Sequence, residues 1–434
     1  MKPFGLLGEK LGHSFSPLIH ARFGSYEYRL FETPRDGLED FLRSGSFAGL
    51  NVTIPYKKAV IPFCETLSPL AQRIGSVNTV TVDAEGKLHG YNTDYFGFCR
   101  MLEEAKISVA DEHCVVIGAG GASATVCVAL QDLGAREITV VSHKENTPEK
   151  IASLCDAGIL VNTSPEGMFP NNGKSPVDLT LLPALRGVAD LIFNPLKTAL
   201  LLQAESLGIP CAGGLTMLTA QAKQASELFQ GKQIPDARIA IVTREIRQKC
   251  ENIILVGMPG CGKSVIGGKL ARRLGKPFVD TDAEILRRAG KSIPEIFADE
   301  GEEAFRQLET QVLADVTARS GCVIATGGGV VTRPENHPLL RQNGRVVFIE
   351  RPVELLSRKG RPLSSSEDAV RKLYEDRLPL YTAVADLRVR NTRSVPQALA
   401  ALLRKLGYSA PKKRPQTGKR PQSAPRNAKE NRKK

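Results

Sequence analysis

The segment GMPGCGKS, residues 257–264, spaces Gly257, Gly262, Lys263 and Ser264 as a loop that wraps phosphate requires. Backbone amides along such a loop point at phosphate oxygens, Lys263 neutralises the outer phosphates, and the Ser264 hydroxyl suits Mg²⁺. Gly260, Cys261 and Val265 share the same turn, with Cys261 read as a small filler rather than a redox switch. A little further on, PFVDTD (277–282) puts Asp280 and Asp282 two residues apart at the end of an apolar run, where strand alternation turns both the same way. Alone, such a pair is a capping turn. Beside a phosphate loop, one carboxylate can serve the metal and the other an attacking hydroxyl. A nucleoside triphosphate is therefore expected to be held for phosphoryl transfer, with the acceptor left open.

A second set of chemically capable residues lies upstream. GAGGAS, from Gly118 through Ala119, Gly120, Gly121 and Ala122 to Ser123, has glycines where a pyrophosphate approaches the backbone and a helix N-terminus. The following strand closes on Ser142-His143-Lys144 with no acidic residue for a ribose 2′-hydroxyl, which favours a 2′-phosphate and hence NADP. Polar residues also end several apolar runs: Ser14 and Ser16 in GHSFSP, Asn51, Thr53 and Lys57 in NVTIPYKK, Asn78 in SVNTV and Asp94 in GYNTD. Singly, each has a bland explanation: Ser16 before Pro17 can cap a helix, Lys57 can be solvated, and residues 92–94 can form a turn. Together they are donors and acceptors suited to a small polyhydroxylated acid.

The elements that must position these groups follow from apolar periodicity. HCVVIG (113–118) reads as a buried strand, the segment to Gly134 as a helix, and ITVVS (138–142) as another strand. IILVG (253–257), the phosphate loop, a helix over 263–274 and PFVDTD repeat that arrangement. The fold class expected is α/β, with two parallel-sheet units in one chain. About 100 residues with their own strands, in FAGLNVTIP and SVNTVTV, precede the first unit as a substrate lobe. The polar stretch IVTREIRQKCEN suggests a boundary near 238–250.

The chain has 434 residues, 42% hydrophobic and 24% charged, as an ordinary globular protein with a full core does. No apolar run is long enough to cross a bilayer, and no signal peptide is expected before the strand-like start at Met1-Lys2-Pro3-Phe4. Nine scattered cysteines without a C-x-x-C pair argue against a disulfide framework or zinc site and for a reducing cytoplasm. Net charge is +13, but residues 410–434 hold ten Lys/Arg and one Glu, leaving +4 for the rest. That basic tail is expected to be disordered and to solvate, with at most weak contact to polyanions.

GHSFSP, NVTIPYKK, GSVNTV, GYNTDYFGF, VIGAGGAS and GGLTMLTAQA occur in the order and spacing of shikimate dehydrogenase, which residues 3–229 resemble. The resemblance implies reduction of 3-dehydroshikimate to shikimate by NADPH. It implies that Ser14 and Ser16 hold the carboxylate, that Asn51, Thr53, Asn78 and Gln221 hold hydroxyls, and that Lys57 and Asp94 are the catalytic pair. It also places Gly214 at the cofactor. Ser142-His143-Lys144 stands where that family commonly has Asn-Arg-Thr, so His143 and Lys144 are assigned to the 2′-phosphate. Only 20 positions separate Ser142 from Asn162, so the cofactor lobe looks trimmed at a sheet edge.

Residues 252–391 resemble shikimate kinase through EEAFRQLE (302–309), ATGGGVV (325–331), KGRPL (359–363) and DRLPLY (376–381). That resemblance implies that Asp282 engages the shikimate 3-hydroxyl and Asp280 with Ser264 holds Mg²⁺. Arg306 and Arg377 would bind the carboxylate, Gly327, Gly328 and Gly329 would approach the ring, and Arg361 would close a lid over ATP. Arg358 would stack on adenine, although only two residues separate it from Arg361.

The organisation expected is therefore a dehydrogenase-like part over 1–238, split into a substrate lobe of about 1–100 and a Rossmann-like NADP lobe of about 101–238. A linker at 239–250, a P-loop kinase part at 251–408 and the tail 409–434 follow. The function expected is two successive steps of aromatic biosynthesis. An NAD-dependent quinate/shikimate oxidoreductase in the first half is one alternative. A ligand-sensing regulator built from degenerate copies is another, although no base-reading module is visible.

Overall fold

The computed structural model describes residues 2–12, 14–356 and 367–408. Three sheets follow one another along the chain.

The first sheet is mixed. It contains β1 (Phe4–Gly8), β2 (Tyr28–Glu32), β3 (Gly49–Val52), β4 (Cys64–Leu67), β5 (Thr79–Val82) and β6 (Leu88–Tyr91) in the order β2-β1-β3-β5-β6-β4. Strands β2 and β3 lie parallel to β1, whereas β3, β5 and β6 run antiparallel in turn. This sheet carries Asn51 on β3 and leads, just past β3 and β6, to Lys57 and Asp94.

The second sheet is wholly parallel: β7 (His113–Ile117), β8 (Glu137–Val141), β9 (Ile159–Asn162), β10 (Gly187–Asp190) and β11 (Cys211–Gly213), ordered β11-β10-β9-β7-β8. Every residue of β7 is buried, as a strand flanked on both faces must be. The chain leaves β7 for β8 on one side and returns to β9 on the other. A crevice for a ligand is expected at such a reversal, above the C-terminal strand ends. Strand β8 is the edge of this sheet, and only the short helix Pro148–Ala152 lies between it and β9, as the sequence spacing predicts.

The third sheet is also parallel: β12 (Asn252–Val256), β13 (Phe278–Asp280), β14 (Val323–Ala325), β15 (Gly344–Glu350) and β16 (Leu387–Arg390), ordered β13-β14-β12-β15-β16. Buried β12 feeds the phosphate loop directly into the helix Lys263–Leu274.

Two helices join the first two sheets. Asp94–Ala105 packs along Leu215–Gln230, and Gly97 permits the approach: a Cβ there would lie 2.7 Å from the Met217 carbonyl. The helices thereby bring Asp94 and Gln221 to one cavity. Leu215–Gln230 also packs on the helix Ser16–Phe23 and on β5, so the chain returns to the first lobe instead of staying in the second over 101–238.

The segment 239–250, expected as a linker, lies within the helix Ala237–Cys250. Its polar residues carry an apolar stripe, Ile239, Val242, Ile246 and Cys250, all buried. Val242, Ile246 and Cys250 pack with Ile19, Phe23, Leu215 and Ala222. A single residue, Glu251, then separates this helix from β12. The nine cysteines are free, and among the described residues no helix is long and apolar enough to cross a membrane.

Candidate active sites

Ser14, Ser16, Asn51, Thr53, Lys57, Asn78, Asp94 and Gln221 line one cavity of about 250 Å³, closed on its apolar side by Phe193, Leu191 and Met217. Lys57 Nζ lies 2.6 Å from Asp94 Oδ2, with side chains 19% and 10% exposed. Asp94 opens the helix Asp94–Ala105, where the free amides favour a carboxylate. The pair is thus well shielded inside that cavity.

The rest of the polar lining is oriented by mutual hydrogen bonds. Asn78 Oδ1 accepts from the Thr93 amide at 2.7 Å, and Asn78 Nδ2 donates to Thr93 Oγ1 at 3.0 Å. Gln221 Nε2 donates to the Leu218 carbonyl at 2.9 Å. The Ser16 amide donates to Ser14 Oγ at 3.2 Å, and the Ser14 hydroxyl donates to Ser16 Oγ at 3.1 Å. Ser16 does not cap its helix: Phe15 is the cap residue, without a side-chain bond. Asn51 Oδ1 accepts from the Tyr28 hydroxyl at 2.7 Å while Asn51 Nδ2 donates to Thr79 Oγ1 at 3.1 Å. Tyr28 was not legible as a site residue. Burial raises its phenol well above the usual range, and His20 stacks on it with ring centres 4.0 Å apart. Burial also drives the His20 imidazole down to about 3, so it stays neutral there.

The glycine turn runs from β7 into the helix Gly121–Asp132. Gly118 has φ +106°, and a side chain there would meet Thr163 Oγ1 at 2.7 Å. Gly120 faces open space, leaving its backbone and that of Ala119 accessible to a pyrophosphate. Gly121 faces the Lys57 side chain, Ala122 and Gly214 line the same cavity as Lys57, and Ser123 is buried. His143 and Lys144 are exposed beyond β8, on a turn held by Glu145, which accepts from the Ser142 amide at 3.2 Å and hydroxyl at 2.6 Å. The turn and the two basic residues fit an NADP.

The second cavity, of about 440 Å³, places Gly260, Gly262, Lys263, Ser264 and Val265 opposite Asp282, Arg306, Gly327, Gly328, Gly329 and Arg377. Buried Lys263 directs Nζ at the Gly257 and Met258 carbonyls, at 2.7 and 3.1 Å. Cys261 is fully buried behind the loop, consistent with a filler. Asn391 at the end of β16 donates to the Cys261 carbonyl at 2.8 Å and props the loop from below, a contact not anticipated from the sequence.

Arg306 Nη1 lies 2.8 Å from Glu309 Oε2, and Glu309 Oε1 is buried in the cavity wall with no hydrogen-bond partner among the described residues. Burial pushes the Glu309 carboxyl upward, against the pull of Arg306. Glu309 belongs to EEAFRQLE but was not assigned there; its position three residues after Arg306 on the helix Gly301–Ala318 was the available signal. A Cβ on Gly327 would collide with Glu309 Oε1, and one on Gly329 would collide with Arg306 Nη1. The glycines are thus what lets this wall close. Arg377 and Tyr381 both donate to the Gly328 carbonyl.

Asp280 and Asp282 do not form the strand-alternating pair expected. Asp280 ends β13 and caps the helix Thr281–Ala289, accepting from the Asp282 amide at 3.1 Å, because the chain turns helical after one strand end. Asp282, in the first turn of that helix, reaches the cavity. The Ser264 hydroxyl and a carboxylate from this corner are hard oxygen donors of the kind Mg²⁺ takes, so the residues fit that ion. Arg358, Arg361 and the tail 409–434 lie outside the described residues.

Family models match this chain twice: a shikimate dehydrogenase substrate binding domain at residues 6–80 and a shikimate kinase at 259–406. The shikimate dehydrogenase (NADP(+)) of Clostridium perfringens strain 13 is 35% identical over 269 residues, covering 57% of this chain and 99% of that protein. The protein of the same name from Methylobacterium radiotolerans is 37% identical, covering 56% and 94%. Among solved structures, a chorismate mutase/shikimate 5-dehydrogenase fusion protein from Clostridium acetobutylicum matches with TM-score 0.54 and 34% identity, covering 57% of this chain and 98% of that one. Shikimate 5-dehydrogenase from Thermus thermophilus, in complex with NADP(H) and shikimate, matches with TM-score 0.51 and 32% identity over 56% and 99%. With its reactive residues gathered in two cavities, the chain belongs to the shikimate dehydrogenase family and carries a shikimate kinase domain behind it, as a bifunctional shikimate-pathway enzyme.

Proposed function

We propose that the first part, spanning about residues 1–250, reduces 3-dehydroshikimate to shikimate with NADPH, and that the kinase part phosphorylates the shikimate 3-hydroxyl with ATP. The observation that carries this reading is convergence. Polar residues scattered from Ser14 to Gln221 line one cavity around the Lys57–Asp94 pair, beside the turn that fits the cofactor.

Residues 118–123 would hold NADPH and His143 with Lys144 its 2′-phosphate, and the cofactor would supply the hydride. Lys57 meets the developing negative charge on the ketone oxygen, and its ammonium delivers the proton that completes the hydroxyl. Asp94, 2.6 Å from Lys57 Nζ, holds that side chain aimed. Ser14 and Ser16 hold the carboxylate, while Asn51, Thr53, Asn78 and Gln221 read the hydroxyls. Each amide has part of its capacity fixed by a neighbour, so the remaining donors or acceptors point one way.

In the kinase cavity Arg306 and Arg377 hold the carboxylate, and the Glu309 oxygen that has no partner among the described residues offers an acceptor to the ring. Asp282 accepts the hydrogen bond of the attacking 3-hydroxyl and takes its proton. Lys263 exchanges loop carbonyls for phosphate oxygens, and the loop amides align the transferring group. Ser264 and Asp280 would hold Mg²⁺, which would supply neutralisation of phosphate charge. Arg361 and Arg358 are proposed for lid closure and adenine stacking.

Two separate assays on one purified chain test this reading: NADP⁺-dependent oxidation of shikimate, and ATP-dependent formation of shikimate 3-phosphate. Both activities are expected. A chain that binds shikimate but turns over neither reaction would favour a sensing role.

A further inference from the structure

The segment after β10 lines the dehydrogenase cavity and then reaches the kinase part. Phe193 closes the cavity and stands edge-on to Phe15, ring centres 5.9 Å apart, and Phe15 lies between Ser14 and Ser16. Three residues later the Leu196 amide donates to Asn343 Oδ1 at 3.2 Å, and the Lys197 amide donates to the Gln342 carbonyl at 2.8 Å. A neighbouring loop arrives at the same place. Asn172 Nδ2 donates to Gln342 Oε1 at 3.0 Å, and the Phe169 amide ties that loop to the Asn194 carbonyl at 3.0 Å. Glu205 adds ion pairs to Lys197 at 2.8 Å and to Arg341 at 3.4 Å.

The receiving side is held on its own account. Gln342 and Asn343 are buried immediately before β15. Asn343 Nδ2 donates to the Arg319 carbonyl and to Ser320 Oγ, both at 3.1 Å, and Gln342 Nε2 donates to Thr317 Oγ1 at 3.2 Å. The Asn343 carbonyl accepts from the Asn252 amide at 2.9 Å. With their donor ends fixed inside the kinase part, both side-chain amides present oxygens outward.

We infer that Asn343 and Gln342 are positioning residues of the dehydrogenase reaction: the kinase part holds segment 193–197 so that Phe193, and through Phe15 the Ser14–Ser16 pair, stand ready for substrate. The inference rests on reading this cavity as the shikimate site. A segment already pinned loses less freedom when substrate binds, which strengthens ground-state and transition-state binding alike. Its loss therefore appears in KM, with kcat little changed.

The test uses the full chain and NADP⁺-dependent shikimate oxidation, with kinase turnover as internal control. Asn343→Ala is expected to raise the dehydrogenase KM for shikimate about three- to tenfold, the equivalent of one hydrogen bond, with kcat within about twofold and kinase kcat/KM unchanged. Asn172→Ala, at the partly exposed side of the contact, is expected to raise that KM about twofold. Unchanged KM in both variants overturns the inference, as does a parallel fall of both activities. If Asn343→Ala does not fold, Asn172→Ala decides, and an unchanged KM there overturns it. A wild-type chain that fails to oxidise shikimate contradicts the functional reading itself, whereas active wild type with unaltered variants contradicts the positioning role alone.

Discussion

Replacing Lys57 by alanine separates the chemistry of the first cavity from its stability. Lys57 Nζ is the group at 2.6 Å from Asp94, and no second ammonium or guanidinium lines that cavity among the described residues. Losing a positioned proton donor costs about 10²–10⁴ in rate, or roughly 3–5 kcal/mol of activation free energy. The substitution also strands Asp94, only 10% exposed. Removing one partner of a buried pair costs about 3–5 kcal/mol. Here the helix N-terminus at Asp94 offsets part of that, by up to about 2 kcal/mol. Adding Asp94→Asn removes the stranded charge, so the double variant is expected to regain thermal stability without regaining turnover. The assay is NADPH consumption with 3-dehydroshikimate, run beside kinase turnover on added shikimate. Lys57→Ala is expected to fall at least about 100-fold in the first and stay within about twofold in the second. A folded Lys57→Ala enzyme retaining more than about a tenth of wild-type kcat would refute the assignment.

The same geometry fixes four further outcomes. Asp282→Asn is expected to lower kinase kcat at least about 100-fold and leave shikimate oxidation intact, as separate assays of the two activities would show. Glu309→Gln keeps the side-chain shape but removes the charge beside Arg306, so the kinase KM for shikimate is expected to rise about tenfold; an unchanged KM speaks against that carboxylate. Lys144→Ala, especially with His143→Ala, is expected to lower kcat/KM with NADP⁺ about tenfold while sparing NAD⁺, and equal loss with both cofactors would place the 2′-phosphate elsewhere. Burial raises the Asp190 carboxyl from its ordinary 3.8 to about 6, despite bonds from Thr198, Ile192 and Asn162. Between those values the folded chain keeps a proton that the unfolded chain has released, so stability falls as pH rises through that window and levels off above it. The full effect is about 3 kcal/mol, and Asp190→Asn is expected to lose that slope in denaturation profiles; superimposable profiles would exclude the assignment.

Local pattern carried much of this architecture. The helix at Lys263–Leu274 has the bounds that its glycine loop and apolar spacing predict, and β7 and β12 are the continuous apolar runs of buried parallel strands. The site residues of the first cavity were legible through family motifs, which encode convergence that spacing alone does not. What stayed hidden depends on distant partners. The stripe at Ile239, Val242, Ile246 and Cys250 is diluted by Arg, Lys and Gln, so a packed helix read as a linker. The capping role of Asp280 required knowing that the chain turns helical at Thr281. Tyr28, Asn391 and Asn343 act through side-chain hydrogen bonds across 23 to 147 positions, for which one-dimensional periodicity holds no signal.

The most direct measurement gives the wild-type chain 3-dehydroshikimate, NADPH and ATP together and follows NADPH, ADP and shikimate 3-phosphate separately. The account predicts that NADPH loss starts first, that ADP and shikimate 3-phosphate then rise in equal amounts, and that omitting NADPH abolishes both. ADP release without shikimate 3-phosphate, or NADPH loss that yields neither shikimate nor shikimate 3-phosphate, would contradict it.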